Sequence, residues 1–159
     1  MIKRKKFEDY FSKLQADMVS ICLEYVEKRA EKIYIYCSCE NGVIFSGFFY
    51  KIGGKIVHKH RLNDALENND REYDVSIIRQ KKAINIINRD VEELKKLCQK
   101  YKRDMPTQIK LTYDIGANKL NADYSYDLIY SDDADKISDD VFEEWYQVEK
   151  NNEEQESEH

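Results

Sequence analysis

The chain has 159 residues, 42% of them hydrophobic, 12% aromatic and 36% charged, and its formal net charge is −5. This length is typical of one domain with a sizeable core. With one proline, five glycines and no long apolar run, the composition excludes collagen-like, low-complexity and membrane-spanning chains.

The first third of the chain predicts a helix followed by a three-stranded meander. Apolar residues recur at spacings of three and four over residues 5–31, which is one face of an amphipathic helix. Residues 33–39 alternate between apolar and polar side chains, and Asn41-Gly42 follows, a dipeptide that favours a tight hairpin turn. The return strand covers residues 43–52, and a third strand covers 55–60.

The remainder predicts a second long helix, a hairpin and a short helix. Ser76 is placed to cap a helix that runs to about Lys102. Residues 109–115 and 120–126 alternate as two strands of a hairpin. Ser138 and the acidic residues after it resemble a helix start, and apolar residues continue on one side of that helix to Val148.

Together these elements predict an α+β fold. We expect a single antiparallel sheet of about five strands, a three-strand meander plus a hairpin, with the two longer helices packed on one face and a short C-terminal helix. Residues 1–150 would form one domain, and residues 151–159 a flexible acidic tail.

Charge is distributed unevenly along the chain. Residues 121–159 hold 14 of the 31 acidic residues but only 2 of the 26 basic ones, so this segment has a net charge of −12 and residues 1–120 have +7. Acids and aromatic residues alternate in this segment, as in a surface that binds a basic protein. The candidate interface residues are Tyr126, Asp127, Tyr130, Asp132, Asp133, Asp135, Asp139, Asp140, Glu143, Glu144, Trp145 and Tyr146. The alternative is that the rings pack on the domain and the acids only keep it soluble.

No pattern of catalytic residues, phosphate loop or cofactor motif is present, so we predict a protein that is not an enzyme and has no cofactor or bound metal. A weaker hypothesis is a metal site formed by Cys37, Cys39, His58 and His60, whose spacing matches no familiar zinc motif. Residues 1–6 are basic without an apolar signal core, which predicts a cytoplasmic protein with reduced cysteines.

A second hypothesis is a nucleic-acid- or protein-binding adaptor. Basic residues cluster at 3–6, 51–61 and 79–82, and aromatic residues of the second strand could stack on bases. The acidic segment would repel phosphates, so we expect no direct nucleic-acid binding. A homodimer is compatible with the sequence.

Several short strings in a matching order resemble the YezG-like family of bacterial immunity proteins. The resemblance runs from about Met18 to Tyr146. It is carried by Ile33-Tyr34-Ile35-Tyr36, Phe48-Phe49-Tyr50-Lys51, Glu72-Tyr73-Asp74-Val75-Ser76, Pro106-Thr107 and Asp123-Tyr124-Ser125-Tyr126-Asp127-Leu128. The resemblance implies an antitoxin that binds a cognate toxin, commonly a nuclease domain, and blocks it in the cytoplasm of the producing cell.

Overall fold

The structure is a computed structural model and describes residues 6–133 and 135–157. This part of the chain contains three α-helices, five β-strands and one 3₁₀ segment. In chain order they are α1 (Phe7–Tyr25), β1 (Lys32–Glu40), β2 (Val43–Ile52), β3 (Lys55–His58), the 3₁₀ segment (Lys59–Ala65), α2 (Ile77–Lys100), β4 (Gln108–Asp114), β5 (Lys119–Ser125) and α3 (Ser138–Ser157).

The five strands form one antiparallel sheet in the order β3-β2-β1-β4-β5. This confirms the predicted α+β class, the meander and the hairpin. β1 is the central strand because it pairs with β2 on one side and with β4 on the other. Asn41 and Gly42 both have positive φ, 52° and 78°, which is the geometry that a tight turn with Asn-Gly favours.

The two long helices cover one face of the sheet. The inward side of α1 includes Met18 and Cys22, and that of α2 includes Ile87 and Leu94, all buried with alternate residues of β1. Those residues of β1 include Ile33, Ile35 and Cys37. This larger core confirms the prediction that both long helices pack on one face.

α3 packs on the opposite face and forms a second, aromatic core. Its residues Val141, Phe142 and Trp145 are buried against the sheet with Tyr34, Tyr36, Phe49 and Ile56. Gly47 makes this approach possible, because a Cβ atom at this position would lie 2.8 Å from the ring of Phe142. The sheet therefore has a helical layer on each side.

Some element boundaries differ from those predicted. α1 ends at Tyr25 rather than near residue 31, because Glu27 and Lys28 have positive φ and leave the helical conformation. The third strand ends at His58, and a 3₁₀ segment follows it. Ser76 does precede α2, but its side chain makes no capping hydrogen bond.

α3 is also longer than the pattern predicted. It continues through residues 151–157, where we expected a flexible acidic tail, while residues 158–159 lie outside the described part of the chain. Glu153 in this extension lies 2.8 Å, Oε1 to Nζ, from Lys51 of β2. This ion pair joins the last turns of α3 to the sheet.

Candidate protein-binding surface

The twelve predicted interface residues lie on one stretch of chain that leaves β5 and enters α3. We call them the acid–aromatic surface. Tyr126 and Asp127 follow β5, the next four residues lie in the loop before α3, and the last six belong to the first three turns of α3. Asp127, Asp132, Asp133, Asp135, Asp139, Asp140, Glu143 and Glu144 are all exposed.

A buried glutamate, which the sequence analysis did not identify, positions the start of this loop. Glu40 at the end of β1 is 2% exposed. Its Oε1 atom accepts hydrogen bonds of 3.2 to 3.4 Å from the backbone N–H groups of residues 129–131. Three backbone N–H groups share one carboxylate oxygen of Glu40. The loop is therefore tied to the central strand.

Two further hydrogen bonds position the segment between β5 and the loop. The Thr107 hydroxyl donates to the backbone carbonyl of Asp127 at 2.6 Å. The hydroxyl of Tyr130 lies 3.3 Å from that of Ser38 on β1, and its ring is half-buried. Tyr130 thus contacts the sheet.

The acidic residues at the beginning of α3 stabilise the helix as well as charging the surface. Asp140 Oδ2 accepts a hydrogen bond of 3.0 Å from the backbone N–H of Ile137, which would otherwise be unpaired at the helix start. Asp139 and Asp140 also lie at the positive end of the helix dipole, where negative charge is favourable. Their placement agrees with the predicted helix start.

The loop and the first turns of α3 line a shallow groove of about 590 Å³ that is widely open to solvent. We call it the acidic groove. Lys136 forms an ion pair with Glu144, 3.0 Å from Nζ to Oε1. Partial burial and the nearby carboxylate of Asp139 raise the pKa of Glu143. One cation therefore faces five carboxylates along the groove, which is lined by Asp133, Asp135, Lys136, Asp140, Glu143, Glu144 and Gln147.

Trp145 lies in the aromatic core rather than on the exposed surface. It is 8% exposed, and its ring packs edge-on against Phe49 and Tyr34, with centroid distances of 5.1 and 5.8 Å. Its i, i+3 spacing from Phe142 places both rings on the sheet side of α3. The expectation that Trp145 anchors a partner is therefore corrected: it anchors α3.

Tyr146 is half-buried and contacts the edge of the sheet. Its ring stacks on His58 with 3.7 Å between centroids, and its hydroxyl donates to the carbonyl of Ile56 at 3.2 Å. Burial lowers the pKa of His58 to about 4, so the ring is neutral at neutral pH. The 3.2 Å approach of its Nε2 to Glu143 Oε2 is then a contact between a neutral ring and a carboxylate rather than an ion pair.

The exposed apolar side chains of this stretch are Tyr126, Leu128 and Ile137, which are 56%, 45% and 61% exposed. Of these three, only Tyr126 belongs to the pattern of aromatic residues among acids, because Leu128 and Ile137 are aliphatic. Leu128 and Ile137 lie close to acidic residues along the chain and outside any helix or strand, and this position is the signal in the sequence that indicates their exposure. The exposed apolar groups therefore lie in the loops, whereas Trp145 is buried.

The cysteines and histidines of the metal hypothesis lie on different faces of the sheet. Cys37 is in the core beneath α1 and α2, whereas His58 faces α3. Among the described residues, no group of three or more His, Cys, Asp or Glu side chains could hold a metal ion. Burial also raises the pKa of Cys37 to about 12, so its thiol stays protonated at neutral pH and is a poor nucleophile.

Several basic residues of the adaptor hypothesis are already paired. Lys51 lies 2.8 Å from Glu153 and 3.7 Å from Glu31. Arg61 lies 2.6 Å from Asp64 in the 3₁₀ segment. These pairs reduce the positive potential of the 51–61 cluster, while residues 3–5 of the first cluster lie outside the described part of the chain.

No protein-family model matches the chain, and no curated protein is similar enough to count as a relative. None of the helices in residues 6–133 and 135–157 combines the length and the apolar character needed to cross a membrane.

Proposed function

We propose that this chain is a non-catalytic immunity protein that binds a toxin domain, most simply a nuclease, and blocks its basic substrate-binding surface. It would act in the cytoplasm of the producing cell. The proposal rests on the ordered resemblance to immunity proteins, on the acidic groove, and on the exposed apolar side chains of the segment that connects β5 to α3. The groove is the observation that carries it, because a nuclease must present positive charge to its phosphate substrate.

In this mechanism the carboxylates and the apolar residues have different tasks. Exposed ion pairs contribute only about 0–1 kcal/mol each, so the acids mainly accelerate encounter and orient the two proteins. Nanomolar binding requires about −12 kcal/mol, and buried apolar anchors supply most of such energies. Tyr126, Leu128 and Ile137, in the segment between β5 and α3, are exposed enough to become buried in a complex.

The first test is co-expression with the product of the adjacent gene. We expect that product to be toxic alone, to be tolerated when this chain is present, and to co-purify with it. Absence of both rescue and complex would overturn the proposal. If the isolated chain instead changes the gel mobility of DNA of arbitrary sequence, in a way that depends on salt, the adaptor hypothesis would be favoured.

The second test changes three charges of the loop while preserving its shape. We expect the triple variant Asp132→Asn, Asp133→Asn and Asp135→Asn to associate with the toxin roughly tenfold more slowly at low salt, with a weaker dependence of the rate on salt. Stopped-flow or surface-plasmon measurements over a salt series would show this.

The matched control is Glu72→Gln, Glu92→Gln and Asp104→Asn, which removes three exposed negative charges from the loop before α2, from α2 itself and from the loop after it. We expect the control to retain a salt dependence close to that of the natural chain. If the association rates of the natural chain, the triple loop variant and the control depend equally on salt concentration, the loop has no part in the mechanism.

A further inference from the structure

The outer edge of β5 is a regular strand edge that the described sheet leaves open. β5 pairs with β4 along its full length of seven residues and is the last strand in the order β3-β2-β1-β4-β5. Natural proteins usually protect such edges with prolines, bulges or charged side chains, because an open strand can pair with another chain. β5 itself carries two charged residues, Lys119 and Asp123. β5 contains no proline, and its register with β4 has no bulge from Lys119 to Ser125.

The side chains of β5 alternate between an apolar and a polar face. Leu120, Ala122 and Tyr124 lie opposite Tyr113, Leu111 and Ile109 of β4, so they project to the side of α1. The ring of Tyr124 packs against Phe11 of α1 with 5.4 Å between centroids. Leu120 and Tyr124 nevertheless remain 36% exposed at the open edge. The edge therefore carries an apolar row on its α1 side.

The flank of α1 next to this edge presents small, uncharged side chains. Ala16 and Ser20 line a groove of about 270 Å³ together with Leu120. Ser12 precedes Ala16 by one helical turn, and all three of these small residues are exposed. Small residues at this spacing let another chain approach both the helix and the strand edge.

We propose that the β5 edge and the adjoining flank of α1 bind a second copy of this chain, with the two β5 strands antiparallel and Ala122 on the two-fold axis. The two sheets then form one ten-stranded sheet. In this register Leu120 faces the partner's Tyr124, Asn121 faces the partner's Asp123, and Lys119 faces the partner's Ser125. No like charges are directly opposed, and both apolar rows join across the axis.

The neighbouring registers fit less well. A two-fold axis perpendicular to the sheet passes through a residue, so the alternatives centre on Asn121 or Asp123. The first shortens the overlap to residues 119–123 and leaves Tyr124 without a facing residue. The second places two Asp123 carboxylates directly opposite each other, which is destabilising. The register centred on Ala122 is the one that uses all seven residues without repulsion.

This inference does not depend on the proposed function. β5 and β3 are at opposite edges of the sheet, and α3 packs on the β2–β3 half. The acidic groove of each copy would thus remain open in the dimer.

The mass of the full chain in solution tests the proposal. We expect light scattering after gel filtration to give twice the monomer mass of 19.0 kDa. Ala122→Glu would place two carboxylates on the axis and raise the dissociation constant at least about tenfold. Ile78→Glu on α2, where Ile78 is 81% exposed, is the matched control and should leave the dimer intact. A monomeric natural chain, or an Ala122→Glu dimer of unchanged affinity, would overturn the proposal.

Cross-linking tests the register independently of affinity. In the proposed dimer, Ala122→Cys brings two Cβ atoms directly opposite each other, so mild oxidation should yield a disulfide-linked dimer. Asn121→Cys is one residue away on the other face and should cross-link poorly. A stronger cross-link from Asn121→Cys than from Ala122→Cys, or none from Ala122→Cys, would exclude the register. Both positions are exposed, so circular dichroism should show an unchanged fold.

Discussion

Glu40 connects a residue of the central strand to the surface proposed for partner binding. Glutamate is rarely buried in proteins, and a buried carboxylate needs hydrogen bonds to compensate for its loss of water. Here the backbone N–H groups of residues 129–131 compensate Oε1, while Oε2 is buried with no hydrogen-bond partner among the described residues. The same bonds satisfy N–H groups of a loop that has little regular structure around it.

Replacing Glu40 should therefore loosen the loop locally. We expect Glu40→Ala to reduce the free energy of unfolding by about 1–3 kcal/mol, because the part-buried N–H groups of residues 129–131 lose their acceptor. Glu40→Gln keeps one carbonyl oxygen and should cost less. Hydrogen exchange measured at the amides of residues 129–131 should accelerate most in the alanine variant. Exchange rates there that match those of an exposed control, Glu92→Ala, would contradict this role.

At the scale of elements, α3 depends on one close approach to the sheet. Its buried rings occupy the face that α1 and α2 leave uncovered, and Phe142 lies directly over Gly47 of β2. A glycine inside a strand is usually destabilising, because it gives the unfolded chain more conformational entropy to lose on folding and has no side chain to pack. At this position the missing side chain is what admits α3.

Gly47→Ala should for this reason destabilise the protein, although the same change is normally favourable in a strand. We expect a loss of about 1–3 kcal/mol in urea-induced unfolding, the usual cost of overpacking. In a Phe142→Ala background the added methyl group should cost much less, which gives a coupling energy between the two sites. Gly116→Ala, whose Cβ would find its nearest neighbour at an ordinary 3.6 Å, is the control and should be near neutral.

The packing of α1 against α2 includes a pair of carboxyl groups. Asp90 of α2 is 4% exposed, and its Oδ2 atom has no hydrogen-bond partner among the described residues. Burial raises the pKa of Asp90, and the nearby Asp17 of α1 raises it further, while Arg89 opposes the shift. The Asp90 carboxyl group therefore keeps its proton at a pH where an exposed aspartate would have lost it.

This shift predicts that stability falls as the pH rises. The folded protein binds the proton of Asp90 more tightly than the unfolded chain does, so protonation of Asp90 stabilises the folded state. This contribution to the free energy of unfolding is complete at pH values below the ordinary carboxyl pKa. It is lost as the pH rises through the raised pKa. Asp90→Asn mimics the protonated group and should gain roughly 1–3 kcal/mol relative to the natural chain in mildly alkaline buffer. Urea unfolding of the natural chain and of the Asp90→Asn variant at acidic and alkaline pH would measure this difference in stability. An equal pH dependence in these two proteins would refute the prediction. Glu92→Gln, at an exposed position of α2, is the control.

At the scale of the whole molecule, the sequence predicted the elements well because its periodicities are strong. The alternation in residues 33–39, the Asn41-Gly42 turn and the helical spacing after Ser76 each depend on local preferences that the fold preserves. The predicted ends of helices and strands were wrong where contacts between residues distant in sequence decide where the element ends. The extension of α3 beyond Val148 is an example, since Glu153 is held by Lys51, a residue about a hundred positions earlier.

The sequence predicts which acidic residues lie on the surface, but it does not predict which apolar side chains are exposed beside them. Acidic residues in the loop and at the start of α3 are exposed, as their charge requires. Trp145 could have been either an interface anchor or a core residue, because aromatic residues favour both environments. The contacts of Trp145 with Tyr34 and Phe49, and the position of Gly47 beneath Phe142, show which face of α3 meets the sheet. The contact of Glu40 with residues 129–131 spans about ninety positions and leaves no local signal.

Trp145 is the only tryptophan in the chain, and it lies between α3 and the sheet. The molecule thus contains a natural optical reporter of one particular interface. Its emission will shift to longer wavelength when water reaches the indole, even if the layer formed by α1 and α2 stays intact. A difference between the midpoints of fluorescence and far-ultraviolet dichroism would thus measure how far α3 can detach before the remaining structure melts.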